Sequence, residues 1–371
     1  MITGLVLALT CPAFLELRAI EQREAAQRLV DGIPEPAAFV VLGAGVEQPY
    51  GVASGEADPV SGRPLSPETP VRIASNTKTF VAATLLRMYE RGEIDLDASI
   101  VELADPDHLA ILRRDGYRVE NITIRHLLSH SAGIYDQGSD PRFIPAVLAN
   151  PARRWSRAEL LALATEYGDP LSEPGSAYAY SDAGYILLGG IVERQSGLPL
   201  AAAVRLLLDF EKIGLASAWW ESIERPPAEA EPRARQFLRG VDGTDVDPSY
   251  DLYGGGGLVM SARDLATFMA ALMEGRVFDR PETLALMLEA GPHQGSDRYR
   301  MGLQAKVYDG VTIYYHSGFW GTGVYYNPVN RRAAAGVTTE QLAFRQDVVP
   351  VIETMLGLTP SDGSCREPPA G

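Results

Sequence analysis

The sequence predicts an α/β protein of the α+β type, in which an antiparallel sheet is flanked by helices and interrupted by an inserted block of helices. Short runs of alternating apolar and polar residues, which are typical of strands, occur near both ends of the 371 residues. From about 92 to 232 the apolar residues instead recur with helical spacing. We therefore expect the two flanks to form one sheet, with the middle of the chain inserted as a second unit.

The elements of the flanks follow one another in a simple order. A helix is predicted for 15–31, because Gly32 and Pro34 follow its last apolar residue. Ser261 and Asp264 indicate the start of another helix. A last helix is expected at about 347–356. The predicted strands lie at 37–42, 50–54, 300–308, 311–317, 322–326 and 333–338.

This order predicts a domain organisation with a cleft. The predicted segments are a possible signal or apolar leader at 1–13, an α/β domain made of 14–91 and 234–358, an all-α domain at 92–233, and a polar tail at 359–371. Within the helical block, Ser156 and Glu159 form a capping box, and the Pro/Ala-rich acidic stretch 224–232 is interpreted as a linker. Clefts between domains are common ligand sites.

The composition narrows the class of partner. Hydrophobic residues make up 46% of the chain and charged residues 22%, which is ordinary for a globular protein. The net charge is −15 and there is no run of Lys or Arg. Nucleic acid and anionic membrane surfaces are therefore not expected as partners. No stretch approaches the about 18 apolar residues of a membrane-spanning helix, so no stable membrane span is predicted.

The two ends of the chain leave questions open. Residues 1–13 resemble a shortened secretory signal, with a brief apolar core but no positive charge ahead of it. We expect a periplasmic or secreted protein on this basis; an apolar lead-in to the first helix of a cytoplasmic protein is the alternative. Cys11 and Cys365 lie near opposite ends, and a disulfide between them stays open. Neither belongs to a Cys/His cluster, so no metal site or cofactor is predicted.

The candidate catalytic centre begins with a Ser-x-x-Lys tetrad, Ser75-Asn76-Thr77-Lys78, just ahead of the apolar helical run 81–89. Residues three apart share a helix face, so Ser75 and Lys78 should lie side by side. A hydroxyl, an amine and the free N–H groups of a helix start can together attack a carbonyl and hold the oxyanion. The alternative is a capping Ser followed by a solvated Lys. Lysine is scarce, however, with Lys78, Lys212 and Lys306 as the whole set.

Two later clusters could complete such a site. Tyr180-Ser181-Asp182 lies between a Pro-Gly turn and an apolar helix, and a Tyr beside an ammonium can take a proton from a serine. A core Tyr beside a helix cap at Asp182 is the alternative, and 167–169 and 325–327 are competing Tyr clusters. His316-Ser317-Gly318, followed by Phe319, lies on a predicted strand whose edge could dock a substrate.

Other patterns have structural interpretations. His126 and His130 are spaced i, i+4, but no Glu makes them a His-Glu-x-x-His motif, and a structural role is favoured. The four glycines at 254–257 are not a phosphate loop, because no Gly-Lys pair follows them. They indicate a close approach of the backbone to another segment. No Gly-x-Ser-x-Gly occurs, which argues against an α/β-hydrolase.

Together, Ser75-x-x-Lys78, Tyr180-Ser181-Asp182 and His316-Ser317-Gly318 stand in the order that is typical of one enzyme family. The chain resembles the serine β-lactamase-like and penicillin-binding proteins, which include class C β-lactamases, D,D-peptidases and β-lactamase-like carboxylesterases. The segments 124–133, 180–185 and 256–265 also resemble that family, so the resemblance covers nearly the whole chain. It implies a β-lactamase/transpeptidase-like fold with the site between the sheet and the all-α domain.

The resemblance implies a role for each motif residue. Ser75 would be the nucleophile, Lys78 its amine partner and Tyr180 the general base, first for Ser75 and then for the deacylating water. His316, Ser317 and Gly318 would line the groove, and the N–H groups of Ser75 and Phe319 would form the oxyanion hole. The expected function is a serine hydrolase that forms an acyl-enzyme with a small-molecule or peptide ester or amide: a D-alanyl-D-alanine carboxypeptidase, an esterase or a weak β-lactamase.

One departure from the family pattern affects the expected substrate. Asp182 stands where the family usually has Asn, and His316 takes a place that Lys often fills. An ionised Asp182 near Lys78 would favour the ammonium, so that Lys78 becomes the fixed charge that keeps Tyr180 ready to act as the base. Both changes make the groove less positive, which favours neutral esters over substrates with a carboxylate. A non-catalytic penicillin- or peptidoglycan-binding sensor is the alternative.

Overall fold

The computed structural model describes residues 12–44, 46 and 48–358. The predicted leader at 1–13 lies outside these residues except for its last two, which begin the first helix, and the tail at 359–371, Cys11 and Cys365 also lie outside. Export of the protein and a disulfide between these cysteines therefore stay predictions. In the described part, no helix combines the length and the apolar character that crossing a membrane requires.

Helices occupy both flanks and most of the middle of the chain. They are α1 (Pro12–Asp31), α2 (Thr77–Glu90), α3 (Pro106–Arg114), α4 (Ile124–Leu128), α5 (Phe143–Ala149), α6 (Arg157–Tyr167), α7 (Asp182–Ser196), α8 (Leu200–Leu208), α9 (Phe210–Ile213), α10 (Ala262–Met273), α11 (Pro281–Leu288) and α12 (Val349–Met355).

Strands come mainly from the two ends of the chain. They are β1 (Ala37–Gly43), β2 (Tyr50–Ser54), β3 (Glu56–Asp58), β4 (Arg63–Pro64), β5 (Val71–Arg72), β6 (Trp219–Trp220), β7 (Phe237–Leu238), β8 (Val241–Asp242), β9 (Leu258–Met260), β10 (Gln304–Tyr308), β11 (Val311–Gly318), β12 (Thr322–Asn327) and β13 (Arg332–Thr338).

The main sheet joins the two flanks, as the sequence predicted. Its strand order is β10-β11-β12-β13-β1-β2, and every neighbouring pair is antiparallel. In the register Val40 of β1 lies opposite Ala335 of β13 on one side and Gly51 of β2 on the other. A smaller sheet, β5-β9-β6, ties the segment just before the Ser-x-x-Lys tetrad to the one after the four glycines.

Both faces of the main sheet are covered by helices, because β1 is apolar on both sides. Side chains alternate across a strand, so Ala38 and Val40 enter the core shared with α10, while Phe39 enters a second core with Val30 of α1 and Ile352 of α12. Burying a side chain of this size contributes on the order of 1.5–3 kcal/mol. The sheet is therefore fixed between α10 on one face and α1 with α12 on the other.

Helix α2 lies between the sheet and the helical block and is buried on all sides as far as Met88. Every residue from Thr69 to Met88 is buried except Ser75, which stays partly exposed. α2 packs against α7 and α8, and its apolar residues belong to one core that runs from the helical block to the sheet. The predicted domain boundaries near 92 and 233 stay a prediction.

Two sequence interpretations differ from the structure. The strand predicted from Arg300 begins only at Gln304, because Gly302 has a φ of +83° and turns the chain before the strand. The stretch 224–232 does not form a free linker. Glu231 accepts hydrogen bonds from Ser66 at 2.9 Å and Thr69 at 2.6 Å, so this stretch is tied to the α/β part of the chain.

Two adjacent glycines in α7 offer a test of how tightly this helix is packed. A Cβ at Gly189 would lie 2.0 Å from the carbonyl oxygen of Tyr253, whereas one at Gly190 would meet nothing closer than 3.7 Å. We expect Gly189→Ala to lower the free energy of unfolding by about 1–3 kcal/mol. Gly190→Ala, its matched control, should raise it by up to about 1 kcal/mol through helix propensity. Equal stability of the two variants in urea unfolding would contradict this packing.

Candidate active site

The turn that carries Ser75 is held in a strained and closely packed conformation. A short 3₁₀ turn, Ala74–Asn76, precedes α2, and Ala74 has a φ of +46°, a left-handed conformation that non-glycine residues seldom adopt. The Asn76 side-chain amide donates to Ile73 O at 2.8 Å and to Thr322 Oγ1 of β12 at 2.9 Å. This clamp fixes the turn to the sheet and leaves the hydroxyl of Ser75 facing outwards.

Lys78 lies beside Ser75, as the three-residue spacing predicted. Its Nζ donates to Ser75 Oγ at 3.0 Å and to Gly255 O at 2.7 Å, and it forms an ion pair with Asp182 Oδ1 at 2.6 Å. The side chain of Lys78 is 0% exposed. The alternative of a solvated surface lysine is therefore wrong, and the buried charge is compensated by groups from two other segments of the chain.

The four glycines bring one of those segments close, which confirms their interpretation as a site of close backbone approach. A Cβ at Gly254 would lie 2.4 Å from Tyr185 O, and one at Gly256 would lie 2.2 Å from Asp251 Oδ2. Gly257 has a φ of +113°, and a Cβ there would lie 2.4 Å from Trp220 Nε1. Side chains here would push the backbone away from α2 and remove the carbonyl of Gly255 from Lys78.

Tyr180 reaches the other two groups. It lies immediately before α7, whose N-cap is Ser181 rather than Asp182, because Ser181 Oγ accepts from Gly184 N. The hydroxyl of Tyr180 is within hydrogen-bonding reach of Ser75 and Lys78, and Lys78 Nζ lies 5.1 Å from the centre of the Tyr180 ring. The competing tyrosines at 325–327 lie on strand β12.

The third motif approaches Ser75 through Gly318. A Cβ at Gly318 would lie 2.1 Å from Ile73 O and 2.8 Å from Asn76 Nδ2, so only glycine allows the end of β11 to pack against the nucleophile turn. Phe319 follows in the turn after β11. The first-turn N–H of Ser75 has no intrahelical acceptor. The end of β11 thus lies against the turn that carries Ser75, and an oxyanion hole made of the N–H groups of Ser75 and Phe319 stays a prediction.

His316 differs from the expected groove-lining position. Its ring is 0% exposed, and its Nε2 lies 3.0 Å from Tyr299 Oη. Because side chains alternate along β11, His316 points into the core and the next residue, Ser317, is the partly exposed one. Burial, together with the charge of Lys78, lowers the pKa of His316 to about 3, so it is neutral. Ser317 Oγ approaches Gln304 Oε1 at 3.4 Å, again a neutral partner.

The charge of Asp182 controls the protonation of the catalytic groups. Burial alone would lower the pKa of Lys78, but the attraction of Asp182, followed by Tyr180 and Asp251, outweighs it and leaves the pKa raised. Burial raises the pKa of Tyr180; Lys78 opposes this and Asp182 adds to it. In the resting site Lys78 is therefore an ammonium and Tyr180 a phenol. Lys78 lowers the pKa of Tyr180, but burial, followed by the charge of Asp182, outweighs it, so Tyr180 is not held as a phenolate at rest.

Two further carboxyl groups surround Asp182. Burial, followed by the charge of Asp182, raises the pKa of Asp136 to about 6 and that of Asp251 to about 7. Asp136 Oδ1 accepts from the backbone N–H of Asp182 at 2.9 Å. Both groups thus gain protons near neutral pH, and Asp182 is the carboxylate that is paired directly with Lys78.

Comparison with known proteins identifies the family of the chain. The family model described as Beta-lactamase matches residues 23–349 of the chain. The chain belongs to the beta-lactamase family. Among its relatives, esterase EstB of Burkholderia gladioli is 33% identical over 272 residues, which cover 64% of this chain and 65% of the esterase. The match thus spans slightly less than two thirds of that relative's length.

Solved structures show that the chain has the fold of this beta-lactamase family. A D-stereospecific amidohydrolase from Streptomyces sp. has a TM-score of 0.73 and 25% identity, and covers 90% of this chain and 98% of its own. A D-amino acid amidase from Ochrobactrum anthropi SV3, complexed with L-phenylalanine amide, has a TM-score of 0.75 and 24% identity. The match covers 91% of this chain and 98% of the amidase. The β-lactamase/transpeptidase-like fold expected from the motifs is confirmed.

Within this beta-lactamase-family fold, His130 holds Tyr180 in place, a role that sequence reasoning missed. The carbonyl oxygen of His130 accepts from Ala179 N at 2.7 Å, and its Nδ1 accepts from Ser181 N at 3.1 Å. His130 therefore binds the residues on both sides of Tyr180, and the two rings lie 4.2 Å apart. The spacing to His126 gave no signal of this, because the partners lie 51 residues further along the chain.

Substituting His130 tests whether it positions Tyr180. His130 has a φ of +53°, which Asn tolerates better than most residues. Asn also keeps an acceptor for Ser181 N. We expect His130→Leu to lower kcat about 10- to 100-fold with little change in KM, because Tyr180 is displaced. His130→Asn should retain most of kcat. The kinetics are measured on a neutral ester with both variants shown to be folded by circular dichroism. Equal losses in the two variants would argue against a positioning role.

Proposed function

We propose that this protein is a serine hydrolase that cleaves esters or amides through an acyl-enzyme on Ser75. One observation carries the proposal: Ser75, the partly exposed residue in an otherwise buried stretch, is hydrogen-bonded to the buried Lys78 and lies within reach of Tyr180. A nucleophile beside two proton-handling groups, and next to free backbone N–H groups, has the parts that acyl transfer requires. The similarity to an esterase and to a D-stereospecific amidohydrolase supports the same reaction class.

The protonation state of the resting site determines how the first step runs. Lys78 and Tyr180 together must lose one proton before they can accept that of Ser75. Ser75 Oγ then bonds to the substrate carbonyl carbon while its proton moves to Tyr180, and the carbonyl oxygen takes the electron pair of the broken π bond. The N–H groups of Ser75 and Phe319 stabilise this oxyanion.

The second half of the reaction returns the proton. Collapse of the tetrahedral intermediate breaks the bond to the leaving group, which takes its proton from Tyr180. Water then attacks the acyl carbon and gives its proton to Tyr180. The bond between the acyl carbon and Ser75 Oγ breaks, Ser75 Oγ takes that proton from Tyr180, and the acid is released. Lys78 stays an ammonium beside Tyr180 and Ser75 throughout. Its charge is held by the ion pair with Asp182 and by the hydrogen bond to the carbonyl of Gly255.

We further propose that uncharged esters are the preferred substrates. D-Alanyl peptides and β-lactams have a carboxylate that needs a positive partner. In this site Asp182 offsets Lys78, His316 is neutral and buried, and Ser317 has the neutral Gln304 beside it. Electrostatic attraction for a substrate carboxylate is therefore weak at this edge of the groove.

A non-catalytic penicillin- or peptidoglycan-binding homologue is the second candidate. It is favoured by the protonation of Lys78 and Tyr180 at rest. An ammonium and a phenol beside Ser75 provide no base until one of them loses a proton. Such a protein would keep the fold and the groove without turnover. It differs from the enzyme in a measurable way, since Ser75 would not react with an acylating or phosphonylating probe.

A substrate panel separates these candidates. We expect p-nitrophenyl butyrate to be hydrolysed with a kcat/KM at least about 100-fold above that of a D-Ala-D-Ala peptide or a chromogenic cephalosporin, a difference of about 2.7 kcal/mol in transition-state binding. Ser75→Ala should lower the ester activity at least about a thousandfold. A fluorophosphonate probe should label the wild type at Ser75. Folded protein with neither label nor turnover would favour the binding homologue, and a preference for the peptide or the cephalosporin would contradict the neutral-ester proposal.

The charge of Asp182 should set the pH at which activity appears. Because Asp182 raises the pKa of both Lys78 and Tyr180, its removal lowers both, and the deprotonated pair forms at lower pH. We expect Asp182→Asn to move the acidic limb of the kcat/KM profile down by about one pH unit or more. The exposed Asp169→Asn, in the same helical block, is the charge-matched control and should leave the limb in place. An unmoved or upward-moving limb in Asp182→Asn would refute this account.

A further inference from the structure

A second pocket lies beside the candidate active site and contains none of its catalytic groups. Its volume is about 510 Å³, within the range of small-molecule sites. It lies between α4, with the segment that follows it, and the stretch from α11 to the start of β10. Ser129, Ser131, His293, Tyr299 and Arg300 form its buried part, while exposed residues such as Glu289 form its mouth.

Arg300 is the feature that points to a ligand. The described residues include three buried arginines, and two of them are neutralised by carboxylates: Arg72 by Glu221 at 2.6 Å and Arg87 by Glu90 at 2.6 Å. Arg300, which is 9% exposed, has no carboxylate within salt-bridge distance in the described part of the chain. Its Nε donates to Leu288 O at 3.0 Å and its Nη1 to Ser296 O. A buried cation satisfied only by carbonyls is costly unless an anion joins it.

The groups around Arg300 suit the other atoms of a small acid. His293 is 7% exposed, and its Nε2 has no hydrogen-bond partner among the described residues. Burial and the charge of Arg300 lower the pKa of His293, so the ring is neutral. The hydroxyls of Ser129 and Ser131 lie 3.0 Å apart on the opposite wall. One buried positive charge is thus surrounded by neutral hydrogen-bonding groups.

We propose that this pocket binds an organic monocarboxylate, with Arg300 as its counter-ion and His293 as a second hydrogen-bonding partner. The two acidic residues at the mouth favour a single negative charge. Asp97 is neutralised there by Arg125, with contacts of 2.6 and 2.8 Å, whereas Glu289 makes no ion pair in the described part of the chain. Phosphates and dicarboxylates, with two charges, would be repelled by Glu289 more strongly than a monoanion.

The pocket and the catalytic centre share one wall. Tyr299 lines the pocket, its hydroxyl is hydrogen-bonded to His316, and its ring centre lies 6.2 Å from that of Tyr180. A bound acid would thus be separated from Ser75 by an aromatic layer. The site is assigned from Arg300 and its surroundings alone, so it does not depend on the proposed hydrolase activity.

The test uses benzoate as the probe and benzamide as its uncharged counterpart, with binding followed by ligand-observed NMR on the full chain. We expect benzoate to bind the wild type with a Kd of about 1–10 mM and benzamide to bind at least about tenfold more weakly. Arg300→Gln should lose the difference between the two probes. The exposed Glu289→Gln, which removes a charge from the mouth and no contact, should tighten benzoate binding about two- to fivefold. Labelling Ser75 with a fluorophosphonate should leave benzoate binding unchanged.

The site is supported if benzoate binds the wild type more tightly than benzamide, if Arg300→Gln loses this difference, and if Glu289→Gln binds benzoate more tightly than the wild type does. Equal binding of benzoate and benzamide, no binding at about 10 mM, or unchanged selectivity in folded Arg300→Gln would overturn it. If Arg300→Gln does not fold, the comparison of benzoate with benzamide and the Glu289→Gln variant still decide. Loss of binding on Ser75 labelling would place benzoate in the catalytic groove and also overturn it, whereas failure of Ser75 to label bears only on the hydrolase proposal.

Discussion

The buried ammonium of Lys78 is the interaction on which the rest of the site depends. A charge that is fully removed from water must find acceptors within the protein, because an unpaired buried cation is strongly destabilising. Its acceptors come from three separate parts of the chain: Ser75 from the turn before α2, Asp182 from the start of α7, and the carbonyl of Gly255 from the glycine segment. Satisfying one charge therefore assembles the nucleophile, the tyrosine loop and the glycine segment at one point.

Close backbone packing makes that assembly possible. Gly318 lets β11 approach the nucleophile turn, and Gly254 and Gly256 let their segment approach α7 and Asp251. Ala74 is held at a positive φ in the middle of this packing. Strain of this kind persists where the surroundings determine the backbone conformation, and it is often found at catalytic sites. The outward position of the Ser75 hydroxyl is thus a consequence of how tightly its neighbours are packed.

The same pair of charges links structure to chemistry. Asp182 stabilises the Lys78 ammonium, whereas burial, with a further contribution from Asp182, raises the pKa of Tyr180 against the opposing charge of Lys78. Asp136 and Asp251 lie close to Asp182, and their raised pKa values mean that they take up protons near neutral pH. The protein thus combines a firmly held catalytic geometry with a resting state rich in protons, which ties its proposed activity to pH and to the charge of the substrate.

The sequence by itself determined the fold class, the sheet shared by the two flanks and the neighbourhood of Ser75 and Lys78, because periodicity and an i, i+3 spacing are local properties of the chain. It also indicated the close approach at the four glycines. Only the tertiary structure decided that Ser181 rather than Asp182 caps α7 and that His316 points into the core. It also decided that His130 is hydrogen-bonded to both neighbours of Tyr180, and that Tyr180 is protonated at rest. These outcomes depend on burial and on partners tens to hundreds of residues apart, and neither burial nor distant contacts are encoded in the spacing of a motif.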